Sequence, residues 1–195
     1  MFTSLTYQAR NWPIVWRSRL FLYWLADTKG NIAFGAILAL PIVALSAFVY
    51  FAYAGHVRAE ARRERIVDLQ CLAENIYFEA RGEPLDGQYA VAEVTLNRVA
   101  SPHFPDTICE VVHEARWDRL RKRRVAAFSW TELPERSEPG GAAWRQAMHV
   151  AAAVYDDRYI PRVPDALFYH ATSIEPSWAR TKKSLGTIGS HVFYQ

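Results

Sequence analysis

The sequence predicts a mostly helical α+β domain with a small late β-sheet, preceded by one transmembrane helix. Three observations predict it. Residues 33–55, AFGAILALPIVALSAFVYFAYAG, run for 23 residues without a charge, and about 20 apolar residues cross a bilayer as a helix. Apolar residues then recur at helical spacing in later stretches. Two segments near the end, ALFYHAT and SHVFYQ, are short, aromatic and β-branched, as strands are.

Taken in order, residues 1–32 form a basic tail, with Arg10, Arg17, Arg19 and Lys29 against Asp27 alone. The formal +3 of the chain belongs to this tail, because the remaining 19 Lys and Arg match 19 Asp and Glu. Its WPIVWRSRLFLYW mixes aromatics with arginines, which suits a membrane interface or the flank of a span. A basic segment before a span favours a cytoplasmic tail. Arg58, Arg62, Arg63 and Arg65 follow the span closely, however, so charge alone does not set the orientation. The segment is too long, and starts too far from Met1, for a cleaved signal peptide. Pro41 would kink it, as membrane helices tolerate. The alternative, a buried core helix, would leave few polar faces. Residues 56–65 read as a juxtamembrane linker or helix, and residues 66–195 as the folded domain.

In that domain Ile66, Leu69, Leu72, Ala73 and Ile76 mark a first helix, ended by Gly82 and Pro84. Glu79 falls three residues after Ile76 and seven after Leu72, on the edge of the same stripe, while Glu74 lies on the opposite, solvated side. A second helix, DGQYAVAEVTLNRVAS, starts near Asp86 or Gly87 and sets Ala90, Val94 and Asn97 on one face. A polar Asn there needs a partner. SPHFPDTI is a loop, CEVVHEARWDRLRKRR a helix that turns strongly basic, and TELPERSEPGG a polar loop. AAWRQAMHVAAAVYDD is the clearest helix, with the stripe Trp144, Ala147, Met148, Ala151, Val154 and Tyr155. The two late strands should pair with each other. Cys71 and Cys109 match neither a zinc spacing nor CxxC. They fit two buried free thiols at least as well as a disulfide.

Glu79 stands beside Ile76, Tyr77 and Phe78 in AENIYFEARGEP. Lost hydration in such a place raises a carboxyl pKa, which keeps the group protonated near neutral pH and fit to act as a general acid. The other reading is a structural Glu bonded to backbone or paired with Arg81 or Arg98. Glycoside cleavage needs such an acid, usually with a second carboxylate. Glu83 and Asp86 flank a Pro turn and read as exposed, and Glu93 lies at a helix flank, so none is persuasive in that role. One Glu suffices where the substrate brings its own nucleophile, as the C6 hydroxyl of N-acetylmuramic acid does in peptidoglycan.

Residues 72–112, LAENIYFEARGEPLDGQYAVAEVTLNRVASPHFPDTICEVV, resemble the core motif of SleB/CwlJ-type cell wall hydrolases, which include the spore-cortex-lytic enzymes. The pieces AFSW, ALFYHATSIEPSWAR and IGSHVFY resemble the family's later blocks in the right order. The resemblance covers residues 66–195. It implies a lysozyme-like α+β fold, cleavage of the peptidoglycan glycan strand between N-acetylmuramic acid and N-acetylglucosamine, and Glu79 as the catalytic acid. It also implies a cleft shaped by Phe128, Ser129 and Trp130 and by Tyr169, His170 and Trp178. Gln88 and Asn97 would position substrate or support Glu79, with a structural hydrogen bond as the alternative for each. The missing second carboxylate favours a lytic transglycosylase over a muramidase. Two departures stand out. Ala127 occupies a position where the family often has Gln, and HEARWDRLRKRRVAA reads as an insertion carrying five Lys and Arg in residues 119–124.

A wall substrate sets the orientation that charge does not. The domain then faces the periplasm and the wall, on a single-pass anchor in the inner membrane through residues 33–55. No cofactor is called for, and no metal, since the histidines show no HExxH or compact ligand spacing. The basic stretch lacks a nucleic-acid module around it. Two rivals remain at this stage: a metal-dependent amidase or peptidase using His170 and His191, and a wall-binding anchor without turnover.

Overall fold

The computed structural model describes residue 26 and residues 28–119, 122–133 and 137–195. The aromatic and basic segment of the tail, Leu120 and Arg121 of the basic stretch, and residues 134–136 of the polar loop lie outside the described residues. Helix α1 (Thr28–Ala80) contains the apolar segment and also Glu79. The chain divides into two units, Met1–Glu60 and Ala61–Gln195, and the division falls inside α1.

In the first unit the most apolar 18-residue window of α1 has a mean hydropathy of 2.5 and none of it is buried. Leu40, Phe48, Tyr50 and Phe51 all point outward. This helix is long and apolar enough to cross a membrane. Pro41 removes one backbone donor inside it, and one turn on the Ser46 hydroxyl donates to the Ile42 carbonyl at 2.8 Å.

The second unit packs the end of α1 against α2 (Leu85–Val99), α3 (Ile108–Val112) and α4 (Gly141–Tyr155). Its core joins Leu72, Ala73 and Ile76 of α1 to Val112, Val150 and Ala151. The helical stripes read from sequence are the faces that meet here, with Ala147, Ala151 and Val154 buried on α4. Cys71 and Cys109 are joined by a disulfide with a Cα–Cα distance of 5.2 Å, so the free-thiol reading is corrected. The bridge ties α1 to α3.

Two small antiparallel sheets complete the unit. The stretch after Val112 is a hairpin, not the expected basic helix: β1 (Ala115–Asp118) pairs with β2 (Arg123–Ala126), Ala115 opposite Ala126. The reason is visible in the sequence. After Val112 the sequence offers only Ala115, Trp117 and Leu120 as apolar residues before the run of Lys and Arg, too few to give a helix a face worth burying. Glu132 secures the hairpin by accepting from the Ala126 N–H at 2.7 Å and from Arg123 at 3.1 Å. The second sheet has the order β3–β5–β4, with β3 (Phe168–Ala171) and β5 (His191–Tyr194) paired as expected. β4 (Ser184–Ile188) is an addition to the sequence reading. Its SLGTI carries no alternating pattern and is bulged at Gly186, where φ is +128°.

Candidate active site

Glu79 sits in the last turn of α1, and the local sequence holds that turn still. Phe78 stacks on Trp130 with ring centroids 4.6 Å apart, and Tyr77 meets Trp144 edge-on at 6.1 Å. One turn earlier Asn75, fully buried, donates to Thr95 Oγ1 at 3.1 Å and accepts from the Trp130 indole N–H at 3.2 Å. Aromatic packing and a satisfied buried amide thus set the direction of the glutamate.

Glu79 opens into a cavity of about 540 Å³. Arg98 of α2, Phe128 and Ser129 after β2, Tyr169 and His170 of β3, His191 of β5 and Trp178 also line it. Among the described residues lining this cavity, Glu79 is the one carboxylate. Burial pushes its pKa up, and neither the hydrogen bond from the Tyr169 hydroxyl nor the charge of Arg98 cancels that. The Tyr169 hydroxyl donates to Glu79 Oε2 at 3.2 Å. Burial and the adjoining carboxylate hold Tyr169 well above its ordinary pKa of 10.0, so it remains a donor.

Arg98 does not pair with Glu79. Its Nε donates to the Leu167 carbonyl at 2.8 Å and its guanidinium lies over the rings of Phe104 and Phe128 at 5.3 and 5.1 Å. Arg81, the other partner considered from sequence, lies over Tyr77 at 5.3 Å.

Of the other residues expected at the site, Phe128, Ser129, Tyr169, His170 and Trp178 line the cavity. Gln88, Asn97 and Trp130 do not. Gln88 donates to the Glu83 carbonyl at 3.1 Å. Asn97 donates to the carbonyls of Val163 at 3.4 Å and Ala166 at 3.1 Å, fastening α2 to the segment before β3. Trp130 is buried beside Asn75. Each spends a side-chain donor on another part of the protein. Glu74 is half-buried, not freely solvated.

The carboxylates weighed as a second catalytic group are engaged elsewhere. Glu93 is buried and accepts from the backbone N–H groups of Arg162 and Val163 at 2.8 and 3.1 Å. Asp86 pairs with Arg162 at 2.8 Å. Glu83 is only part-exposed, and accepts from both the backbone N–H and the hydroxyl of Ser190. Burial opposes its ionisation, but the Ser190 donors and nearby His191 outweigh it and hold its pKa below the ordinary value.

The metal-site reading finds little to support it. His170 is engaged at both ring nitrogens, Nε2 2.9 Å from the Tyr194 hydroxyl and Nδ1 2.9 Å from the Ala171 carbonyl. Among the described residues no group of three His, Cys, Asp or Glu is placed to hold a metal. Sequence reasoning missed Arg98 as a cavity residue, and it treated His191 only as a metal ligand. The weak signal for Arg98 was a cation next to Asn97, on the helix whose other face builds the core.

A family model described as cell wall hydrolase matches residues 82–194, beginning three residues after Glu79. Among curated proteins, the spore cortex-lytic enzyme of Halalkalibacterium halodurans is 55% identical over 126 residues, covering 65% of this chain and 34% of that protein. Those of Bacillus subtilis and Oceanobacillus iheyensis are 51% and 33% identical over 127 residues, again covering 65% of this chain and 37% and 41% of theirs. The chain thus spans roughly two fifths or less of the length of these relatives. Among solved structures, the catalytic domain of the germination-specific lytic transglycosylase SleB from Bacillus anthracis is 29% identical, with a TM-score of 0.49, covering 66% of this chain and 93% of that one.

Proposed function

This chain belongs to the cell wall hydrolase family, and from that premise we propose that it cuts peptidoglycan glycan strands between N-acetylmuramic acid and N-acetylglucosamine, as a lytic transglycosylase with Glu79 as its single acid and base. The domain has a lysozyme-like arrangement. Residues 33–55 anchor it in the inner membrane, and it faces the periplasm and the wall. The observation that carries the reading is Glu79 itself, a buried carboxyl with a raised pKa and the one carboxylate lining an aromatic cavity among the described residues.

The chemistry follows from that geometry. Neutral Glu79 gives its proton to the glycosidic oxygen as the bond to the anomeric carbon of N-acetylmuramic acid breaks. The C6 hydroxyl of the same sugar attacks that carbon, and its proton passes to the Glu79 carboxylate. A 1,6-anhydro sugar leaves, no water is consumed, and Glu79 is again neutral. Tyr169, bonded to Oε2, leaves Oε1 to carry the proton and steadies the carboxylate formed midway. Among the described residues no second carboxylate lines the cavity to activate water on the opposite face of the ring.

The orientation is supported by the Cys71–Cys109 bridge, since disulfides persist in oxidising compartments such as the periplasm and are rare in the cytosol. The relatives' name, spore cortex-lytic enzyme, fits a wall substrate. The test is a digest of purified peptidoglycan by the full chain in detergent, beside Glu79→Gln, with products weighed by mass spectrometry. Anhydro-muropeptides, each one water lighter than hydrolysis products, should appear and fall about 10²- to 10⁴-fold in the variant. Reducing-end products would move the assignment to a muramidase, and equal cutting by the variant would remove Glu79 from it.

A further inference from the structure

A second hollow of about 370 Å³ lies beside the Glu79 cavity, and the family resemblance assigns it nothing. The β1–β2 hairpin builds its outer side with Arg116, Trp117 and Asp118. The two hollows share Arg98, Ala126, Ala127 and Phe168 in their linings, so they lie side by side with these residues at their boundary. This hairpin falls in the stretch whose sequence reads as an insertion relative to the family pattern.

Three features of the second hollow bear on its occupant. Trp117 is 64% exposed, an uncommon place for an indole. The hollow's charges balance, with Arg98 and Arg116 against Glu114 and Asp118. Arg98 is 8% exposed at the junction, and its Nη1 has no hydrogen-bond acceptor within the protein. Arg116 is fixed in place, donating to the His103 carbonyl at 2.8 Å and lying over Phe104 at 4.8 Å. A flat aromatic surface, rigid donors and acceptors of both kinds, and no net charge suit a neutral polyhydroxylated ring. They do not suit a polyanion or an acidic peptide stem.

We infer that the β1–β2 hairpin extends the cleft into a distal subsite, in which Trp117 stacks on a further sugar ring of the glycan strand whose scissile bond lies at Glu79. The inference rests on the strand being the substrate, and it adds that this chain prefers long strands over short fragments. Trp117 is here a specificity-determining residue and takes no part in the bond-breaking step.

The test separates binding from cleavage. Full-length Glu79→Gln chain in detergent is titrated with peptide-free glycan oligosaccharides of increasing length, prepared from peptidoglycan, and affinity is read by calorimetry. Affinity should rise once the oligosaccharide is long enough to reach the hairpin. Adding Trp117→Ala should cut the ratio of long- to short-strand affinity about tenfold, the worth of one stacked aromatic. Trp117→Phe should restore most of it. Because Trp117 packs outside the core, unchanged thermal melting will show that the fold is intact. Equal loss at all lengths, no loss at all, or a length gain seen only with stem-bearing fragments would overturn the subsite. If wild type cleaves no glycan while Trp117-dependent length selection persists, the subsite stands and the transglycosylase reading falls.

Discussion

Replacing both Cys71 and Cys109 by serine tests how the end of α1 is held and where the domain lives. The bridge spans a sequence separation of 38. In the chain-entropy description, closing a loop of that length removes about 4 kcal/mol from the unfolded state. The bridged unit comprises residues 61–195. Dividing the loss by the unfolding entropy of a domain that size gives a fall in Tm of about 14 °C. The assay is thermal unfolding of the full chain in detergent, followed by near-ultraviolet circular dichroism, for wild type with and without reductant and for the double variant. The reduced wild type and the variant should melt together, well below the oxidised protein. Leu72, Ala73 and Ile76 hold the same turns of α1 without the bridge, so glycan cleavage at 25 °C should survive. A fall of less than about 3 °C would refute the reasoning, since it would mean that the unfolded chain gains little freedom when the bridge opens.

Further outcomes follow from the electrostatics and the backbone. Glu79 must be neutral to act, and burial raises its pKa, so cleavage should be full below that raised pKa and fall as pH rises through it. The Tyr169 hydroxyl favours the carboxylate, so Tyr169→Phe should move this alkaline limb upward in a pH profile of kcat/KM. A limb that stays or moves down would remove Tyr169 from the proton's environment. Gly189 has φ +59°, and a Cβ there would overlap Glu83 Oε2. Gly189→Ala should therefore cost about 2–3 kcal/mol in urea unfolding. Glu83 has a lowered folded pKa. Its contribution is present above the ordinary carboxylate pKa and is lost as pH falls through the lowered one. The variant should accordingly lose less stability on acidification than wild type.

The longer helices were legible because their apolar stripes run over several turns. Leu69, Leu72 and Ile76 on α1 and Ala147, Ala151 and Val154 on α4 repeat at the spacing that a helix buries. Glu79 was legible for the same reason, since its place on the stripe's edge follows from counting. The hairpin was not, because its strands ARWD and RRVA are rich in arginine, expose Trp117 and lack the run of aromatic and β-branched residues that marks β3 and β5. Nor were the contacts that join distant segments. Asn75 meets Trp130 across 55 residues and Glu83 meets Ser190 across 107, and nothing local marks either pairing. Asn97 shows how a correct observation misleads. It does sit on a buried face and does need partners, but the partners are the carbonyls of Val163 and Ala166, not a sugar.

The position of Arg98 decides whether Glu79 is an acid or half of an ion pair. A guanidinium hydrogen-bonded to the carboxyl would stabilise the charged form, lower the pKa and leave no proton to give near neutral pH. Arg98 lines the same cavity and could have done so, yet its Nε is committed to the Leu167 carbonyl and its plane to the faces of Phe104 and Phe128. Its charge reaches Glu79 only through space, and burial remains the larger influence on the carboxyl. Burial therefore favours the neutral carboxyl, and in the proposed reaction the charge of Arg98 would help to steady the carboxylate once the proton has gone. With both protonation states supported in turn by fixed groups, one glutamate can serve as acid and then as base. Tyr77 and Phe78, the neighbours that first mark Glu79 in the sequence, pack on Trp144 and Trp130 and so hold the turn that carries it.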